Sequence, residues 1–308
     1  MKTSAEKKNT GVPVRGDAQR GSKGDSLSNK KVSPIPVKQV KHKTRKQSAR
    51  PLTHVTTGGK GKSTAARTAV SYDKDRIDRN LITVLKPYSF ETEMFKVLRA
   101  KILHPLSGMP PRSILVTSAV PGEGKSFVAA NLAVTIAQYI QEYVLLMDCD
   151  LRKPCIHTRF GFPPVQGLSE YLSTEIDLPP LLLKTMLKKL TILPGGRPPY
   201  NPSELLSSSK MRSLMEEMQE RYEDRYLVVD SPPPALAPET LAIAEQVDGI
   251  LLVVKHKSTP QELVAELAKD FDEDKIIGAV INRFDMRSSK YYGYGKYRQY
   301  KKYYSYPK

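Results

Sequence analysis

SILVTSAVPGEGKSFVAANLAVTIA, Ser113 to Ala137, decides how the rest of the chain is read. Ile114, Leu115 and Val116 form a continuous apolar run, the pattern of a strand covered on both faces. Gly122 and Gly124 then permit a tight backbone, and Lys125-Ser126 opens a helix whose Val128, Leu132, Val134 and Ile136 can face a sheet. A strand, loop and helix in this order turn backbone N–H groups and a helix N-terminus onto one anion, the usual cradle for nucleotide phosphates. In that reading Lys125 reaches the β- and γ-phosphates and the Ser126 hydroxyl meets Mg²⁺. The stretch departs from GxxxxGK[ST] at Ala119, a small residue where the pattern has glycine. TTGGKGKSTAA, Thr56 to Ala66, looks superficially alike. It follows RPLTHV, a poor strand inside a basic low-complexity segment, and reads as an accident of composition.

Two more strands carry acids at their ends. EYVLLMDCDLRKP, Glu142 to Pro154, runs into Asp148 and Asp150, and RYLVVDSPPP, Arg225 to Pro234, runs into Asp230. Ligands of open parallel sheets bind at the carboxyl ends of strands, so these acids should meet the triphosphate held by Lys125. A hard cation there takes oxygen ligands and keeps several waters, so one or two carboxylates suffice. The predicted fold is a doubly wound α/β domain, mainly parallel, with helices on both faces.

Composition sets the limits. The formal net charge is +17, and it belongs to the ends: residues 1–70 hold 17 of the 49 Lys and Arg against three of the 32 acids. That segment has few apolar residues and no aromatic, so it is expected to be disordered, serving as a solvated tether or as an arm for anionic lipid or nucleic acid. No run approaches about 18 apolar residues and no secretory core is seen, so neither secretion by that route nor a membrane span is expected. Cys149 and Cys155 are too few for a zinc site or a disulfide framework, which fits a reducing cytoplasm.

TSAVPGEGKS, VLLMDCDLRKP and VVDSPPP together resemble the bacterial tyrosine kinases of capsule and exopolysaccharide systems, a MinD/ParA-like branch of P-loop ATPases with Walker A, A′ and B motifs. The resemblance covers roughly residues 82–286 and includes NPSELL at Asn201 to Leu206. It implies ATP and Mg²⁺ as cofactors. It places phosphate contacts on Gly122, Glu123, Gly124, Lys125, Ser126 and Phe127, and metal contacts on Ser126, Asp150 and Asp230. Asp148 is implied as the base for the phenolic proton, with its division of labour with Asp150 left open. Arg152 orients either the A′ loop or a phosphate, or pairs with a structural acid. Asn282, in GAVINRFD, either contacts adenine or caps a strand.

These kinases usually end in a tyrosine cluster that they phosphorylate on each other. Here Tyr291, Tyr292, Tyr294, Tyr297, Tyr300, Tyr303, Tyr304 and Tyr306 lie in the last eighteen residues, half of the chain's 16 tyrosines, with no acid among them. Each phosphate would add about −1.5 to −2 charges, so several would turn a basic tail acidic. The competing reading is an aromatic basic tail that stacks on nucleic acid. SFETEMFKVLRAKIL, Ser89 to Leu103, is a predicted helix with a Ser89 cap. Family members carry ExxRxxR there, a ring-forming stripe, whereas this chain has Glu93, Lys96 and Arg99; lysine keeps the charge but loses the planar fork. A second departure is Glu239, where the family often has Asp.

The sequence therefore divides into a disordered basic segment (1–80), a kinase domain (81–286) and a tyrosine tail (287–308). The resemblance implies a separate membrane polysaccharide co-polymerase as activator, a cognate tyrosine phosphatase, ring self-association, and recruitment from the cytoplasm to the inner face of the membrane. The alternative is a ParA/MinD-like positioning ATPase with a basic DNA- or membrane-binding arm. Its relatives carry KGGxGK[ST], and Val120 stands where they have the first lysine.

Overall fold

A computed structural model describes residues 71, 73–139, 141–220 and 225–284. Readings that fall on 1–70 and 287–308, the basic segment, the second glycine-rich stretch and the tyrosine cluster, lie outside the described residues. Seven strands form one sheet: β1 (Ser113–Ser118), β2 (Tyr143–Asp148), β3 (Leu183–Lys184), β4 (Leu190–Leu193), β5 (Arg225–Asp230), β6 (Gly249–Lys255) and β7 (Ile276–Asn282). Their order is β3-β4-β2-β5-β1-β6-β7, parallel throughout except for the β3–β4 pair. The three strands bearing the phosphate loop and the acids are thus neighbours in mid-sheet. Register aligns their ends, with Asp148 opposite Asp230 and Val116 opposite Asp230.

Alternation along each strand builds two cores. Ile114, Val116, Val144, Leu146 and Val228 face one layer, which holds α1 (Ile82–Leu85), α2 (Phe90–Leu103), α3 (Lys125–Ala137) and α4 (Ile156–Arg159). Leu115, Leu145, Met147, Leu227 and Val229 face the other. That second layer holds α5 (Leu168–Ser173), α6 (Pro202–Leu206), α7 (Ser209–Glu220), α8 (Glu239–Ala244) and α9 (Gln261–Lys269). The central strands are buried on both faces, which is why their sequences are continuous apolar runs rather than alternating ones.

α3 carries the phosphate loop and is buried almost entirely, since α1 and α2 cover the side turned away from the sheet. Its one buried amide, Asn131, is fully used. Oδ1 accepts from Thr83 N (3.0 Å) and Thr83 Oγ1 (2.9 Å), and Nδ2 donates to Asn80 O and Phe127 O (both 2.9 Å). That side chain fastens the N-terminal approach to the helix behind the site.

The boundary expected at residue 80 falls inside packed chain. Asp73 N donates to Gly161 O (2.9 Å), Ile77 bridges Phe160, and Asp78 pairs with Arg159 Nη1 at 2.8 Å. Residues 73–80 are polar enough to resemble the basic segment, yet backbone pairing and one ion pair hold them to the loop after α4. The Ser89 cap is present, accepting from Thr92 N at 3.2 Å.

Candidate active site

The phosphate loop runs from β1 to α3 with Gly122 and Gly124 at φ +80° and +99°, conformations that a side chain would strain. A Cβ on Gly124 would also strike the Asn282 side chain. The first N–H groups of α3 have no intrahelical acceptor and open toward the loop. Lys125 is 7% exposed, and its ammonium lies near enough to Asp150 and Asp230 to favour their charged forms.

Two residues expected to touch nucleotide brace the loop with their side chains. Glu123 is fully buried; Oε2 accepts from Val120 N (3.0 Å), and Oε1 from Lys255 N (3.1 Å) and the Thr259 hydroxyl. Its carboxylate ties the loop to the end of β6. The Phe127 ring packs edge-on against Phe95 of α2 at 5.6 Å, leaving only its backbone N–H for an anion. Asn282 is likewise engaged: Nδ2 donates to Glu123 O (2.6 Å) and Oδ1 accepts from Arg283 N (2.8 Å). Of the two readings of Asn282, the structure displays the strand-end one, with the amide pinning the phosphate loop.

The aspartates are not equivalent. Asp148, expected as the base, is fully buried and committed to the backbone: Oδ2 accepts from Cys155 N (2.8 Å) and Ile156 N (2.9 Å), and Oδ1 from Asp150 N (3.2 Å). It shapes the A′ loop from within. Asp150 is half-buried, and its Oδ1 accepts from Lys153 N at 3.1 Å. Asp230 is fully buried with no hydrogen-bond donor closing on either oxygen. Ser126 is near enough to ease its charge without a full hydrogen bond. Burial raises all three carboxyls, Asp230 to about 7; the charge of Asp230 pushes Asp148 up further, whereas Lys125 opposes the rise at Asp150 and Asp230.

An unpartnered buried carboxylate facing a second one is an unstable arrangement for protein alone and a suitable one for a cation. Ser126 and Asp230 offer hard oxygens, the donor type Mg²⁺ takes. Among the described residues no group of three or more His, Cys, Asp or Glu could close on a metal, so phosphates and water would have to complete the shell. Sequence reasoning did not foresee Cys155 beside Ser126; burial holds that thiol up to about 11, and it stays protonated.

Arg152 and Glu239 explain each other. Arg152 Nε lies 3.2 Å from Glu239 Oε1 and Nη2 donates to Ser203 Oγ (3.1 Å), while Ser203 Oγ donates to Glu239 Oε2 (2.8 Å). Glu239 is 2% exposed and turned toward α6, so the longer acid locks the A′ loop to the second helical layer. The α2 stripe is also paired internally, Lys96 with Glu93 at 2.7 Å and Arg99 with Thr135 O at 2.9 Å and the Tyr139 ring.

The profile of the CobQ/CobB/MinD/ParA nucleotide binding domain matches residues 114–302. The chain is 34% identical over 221 residues to tyrosine-protein kinase YwqD of Bacillus subtilis, covering 71% of itself and 92% of that protein. It is 33% identical to the putative tyrosine-protein kinase CapB of Staphylococcus aureus, covering 68% and 93%. Against tyrosine-protein kinase Wzc of Salmonella typhimurium it is 32% identical, covering 70% of itself but 30% of that longer protein. Among solved structures, the kinase domain of Escherichia coli tyrosine kinase ETK superposes with a TM-score of 0.64 at 28% identity, with 74% and 89% of the chains covered. The chimerical protein CapA2B2 gives 0.61 at 30% identity, with 70% and 93% covered.

Proposed function

This chain belongs to the bacterial tyrosine-protein kinases within the CobQ/CobB/MinD/ParA nucleotide-binding domains, and on that premise we propose that it transfers the γ-phosphate of ATP to its own C-terminal tyrosines, in trans, in the control of capsule or exopolysaccharide assembly. The observation that carries the reading is the buried, unpartnered Asp230, opposite Asp148 in register and beside Lys125 and Ser126 at the end of the central strands.

Bound Mg²⁺ supplies neutralisation of charge on the transferring phosphate. Lys125 and the first amides of α3 clamp the β- and γ-phosphates, while Asp230 and Ser126 offer the cation its protein oxygens. Asp150 takes the phenolic proton: it is the half-buried acid of the three, open to an incoming phenol, and burial raises its carboxyl above the ordinary value. Asp148, held by three amides, positions that loop rather than reacting. In the step itself the phenolic oxygen bonds to the γ-phosphorus, the bond to the β–γ bridging oxygen breaks, ADP leaves with that electron pair, and the proton passes to Asp150. Glu123 and Asn282 act earlier, by fixing where the loop amides point.

A separate membrane activator is the proposed partner. The chain spans most of YwqD and CapB but less than a third of Wzc, and no helix among the described residues is long and apolar enough to cross a membrane. A cognate phosphatase, a ring of copies and an anionic membrane surface for residues 1–80 complete the set of proposed contacts. Incubation with ATP, Mg²⁺ and an activator fragment, followed by mass-spectrometric mapping, tests the assignment. Phosphate is expected within 291–306 and lost in Lys125→Met; ATP hydrolysis with no labelled tyrosine would point to a positioning ATPase instead.

A further inference from the structure

A cleft of about 1000 Å³ borders the A′ loop, between Arg152-Lys153-Pro154 and the segments carrying Lys184 of β3 and Arg197 after β4. The rest of its wall is mostly proline and leucine, with Val165 and Gln166, a largely apolar surface of the kind an aromatic ring lies against. Four cations line it, Arg152, Lys153, Lys184 and Arg197, and no Asp or Glu does. Two carboxylates bonded to lining residues are already occupied. Glu170 accepts from Gly167 N (2.8 Å), Ser169 Oγ (3.0 Å) and Arg197 N (3.2 Å), and Glu239 serves Arg152 and Ser203.

A second, independent feature lies in the same wall. His157 lines the cleft, is only 8% exposed, and its Nδ1 has no hydrogen-bond partner. Buried polar atoms are ordinarily partnered, so an orphan at a cavity wall marks a position for a ligand atom. Burial also keeps the ring neutral, and an Nδ1–H there donates to an oxygen. Cations above an apolar wall with a buried donor suit an aryl phosphate.

We propose that this cleft is a phosphotyrosine subsite beside the active site, which takes a member of the C-terminal cluster phosphorylated in an earlier turnover. The inference rests on reading that cluster as the substrate. Charge selects this occupant: the unmodified tail is basic and repelled by four cations, whereas one phosphate adds about −1.5 to −2 charges. Spacing agrees, because neighbouring tyrosines of the cluster lie one to three residues apart, about 3–11 Å of extended chain. A modified tyrosine held here keeps the next one close to Asp150. The cleft thus makes successive phosphorylation of one tail faster than starting a fresh one.

The test uses phosphatase-treated full-length protein without ATP and a labelled peptide of residues 291–308, unmodified or carrying phosphate on Tyr297, read by fluorescence polarisation. The phosphopeptide is expected to bind at least about tenfold tighter, with that margin lost in Lys184→Glu/Arg197→Glu and reduced in His157→Gln, while Mg-nucleotide binding is unchanged. Equal binding of the two peptides, or a margin that survives the double variant, overturns the proposal. So does inorganic phosphate binding with no gain from the peptide. In turnover with ATP, tails on the wild type should collect several phosphates while the double variant accumulates singly modified ones. Failure of the kinase reading is separate: a chain that binds the phosphopeptide yet never labels its own tail keeps the subsite and loses the substrate.

Discussion

Glu123 and Asp230 are both fully buried, and the fold treats them in opposite ways. Glu123 has three donors on its two oxygens, two of them supplied by Lys255 at the end of β6 and Thr259 just after it. Asp230 has none, and faces Asp148 across the β2–β5 register. A fold able to satisfy one buried carboxylate so fully leaves the other bare where the phosphate loop opens. The difference separates two jobs: Glu123 sets the shape of the loop, and Asp230 awaits a cation.

The comparison can be broken at several points. Lys125→Met removes the charge that both neighbouring aspartates feel, and tail phosphorylation should fall by about 10³-fold, measured by anti-phosphotyrosine blotting with the fold intact by circular dichroism. Glu123→Ala should cost about 3 kcal/mol in urea unfolding, since it strands Val120 N and the Thr259 hydroxyl and leaves Lys255 N only its longer bond to Thr259 Oγ1 (3.3 Å). Asp230→Asn should do the reverse to the nucleotide-free protein and stabilise it, because the amide relieves repulsion and does not need to ionise.

The pH dependence follows from the same pair. Asp148 and Asp230 hold their protons to higher pH folded than unfolded, so between about 4 and about 7 the native state binds more protons. Stability of the nucleotide-free protein therefore falls as pH climbs through that window, and Asp230→Asn should flatten the fall in thermal melts. Glu239→Asp is the mildest change. A shorter acid cannot span both Arg152 and Ser203, and a loss of about 1 kcal/mol is expected, with KM for ATP nearly unchanged.

Much of the site was legible because its parts are local. The loop, Asp148, Asp150 and Asp230 each sit at the end of a continuous apolar run, and strand ends in a parallel sheet converge. What escaped is what depends on partners far away in sequence. Glu123 lies inside a phosphate-binding pattern, so it reads as a nucleotide contact, yet its partners are 132 and 136 residues distant. The partners of Asn282 and Glu239 escaped for the same reason, lying 159 and 87 positions away, although the sequence left open a strand-end role for Asn282 and an ion pair for Arg152. The backbone bonds on Asp148 were not legible, because a strand-end acid gives no sign that the next loop will fold its amides back onto it. Residues 73–80 read as basic tether because the ion pair and backbone bonds that hold them come from 159–161.

The most direct measurement is the melting temperature of wild type and Asp230→Asn at pH 8, each with nucleotide alone and with nucleotide plus Mg²⁺. The account predicts that the wild type gains stability from nucleotide mainly when Mg²⁺ is present, whereas Asp230→Asn starts higher and gains nothing further from the cation. A variant that starts lower than wild type, or that responds to Mg²⁺ as fully, would contradict the assignment of the bare carboxylate to the metal.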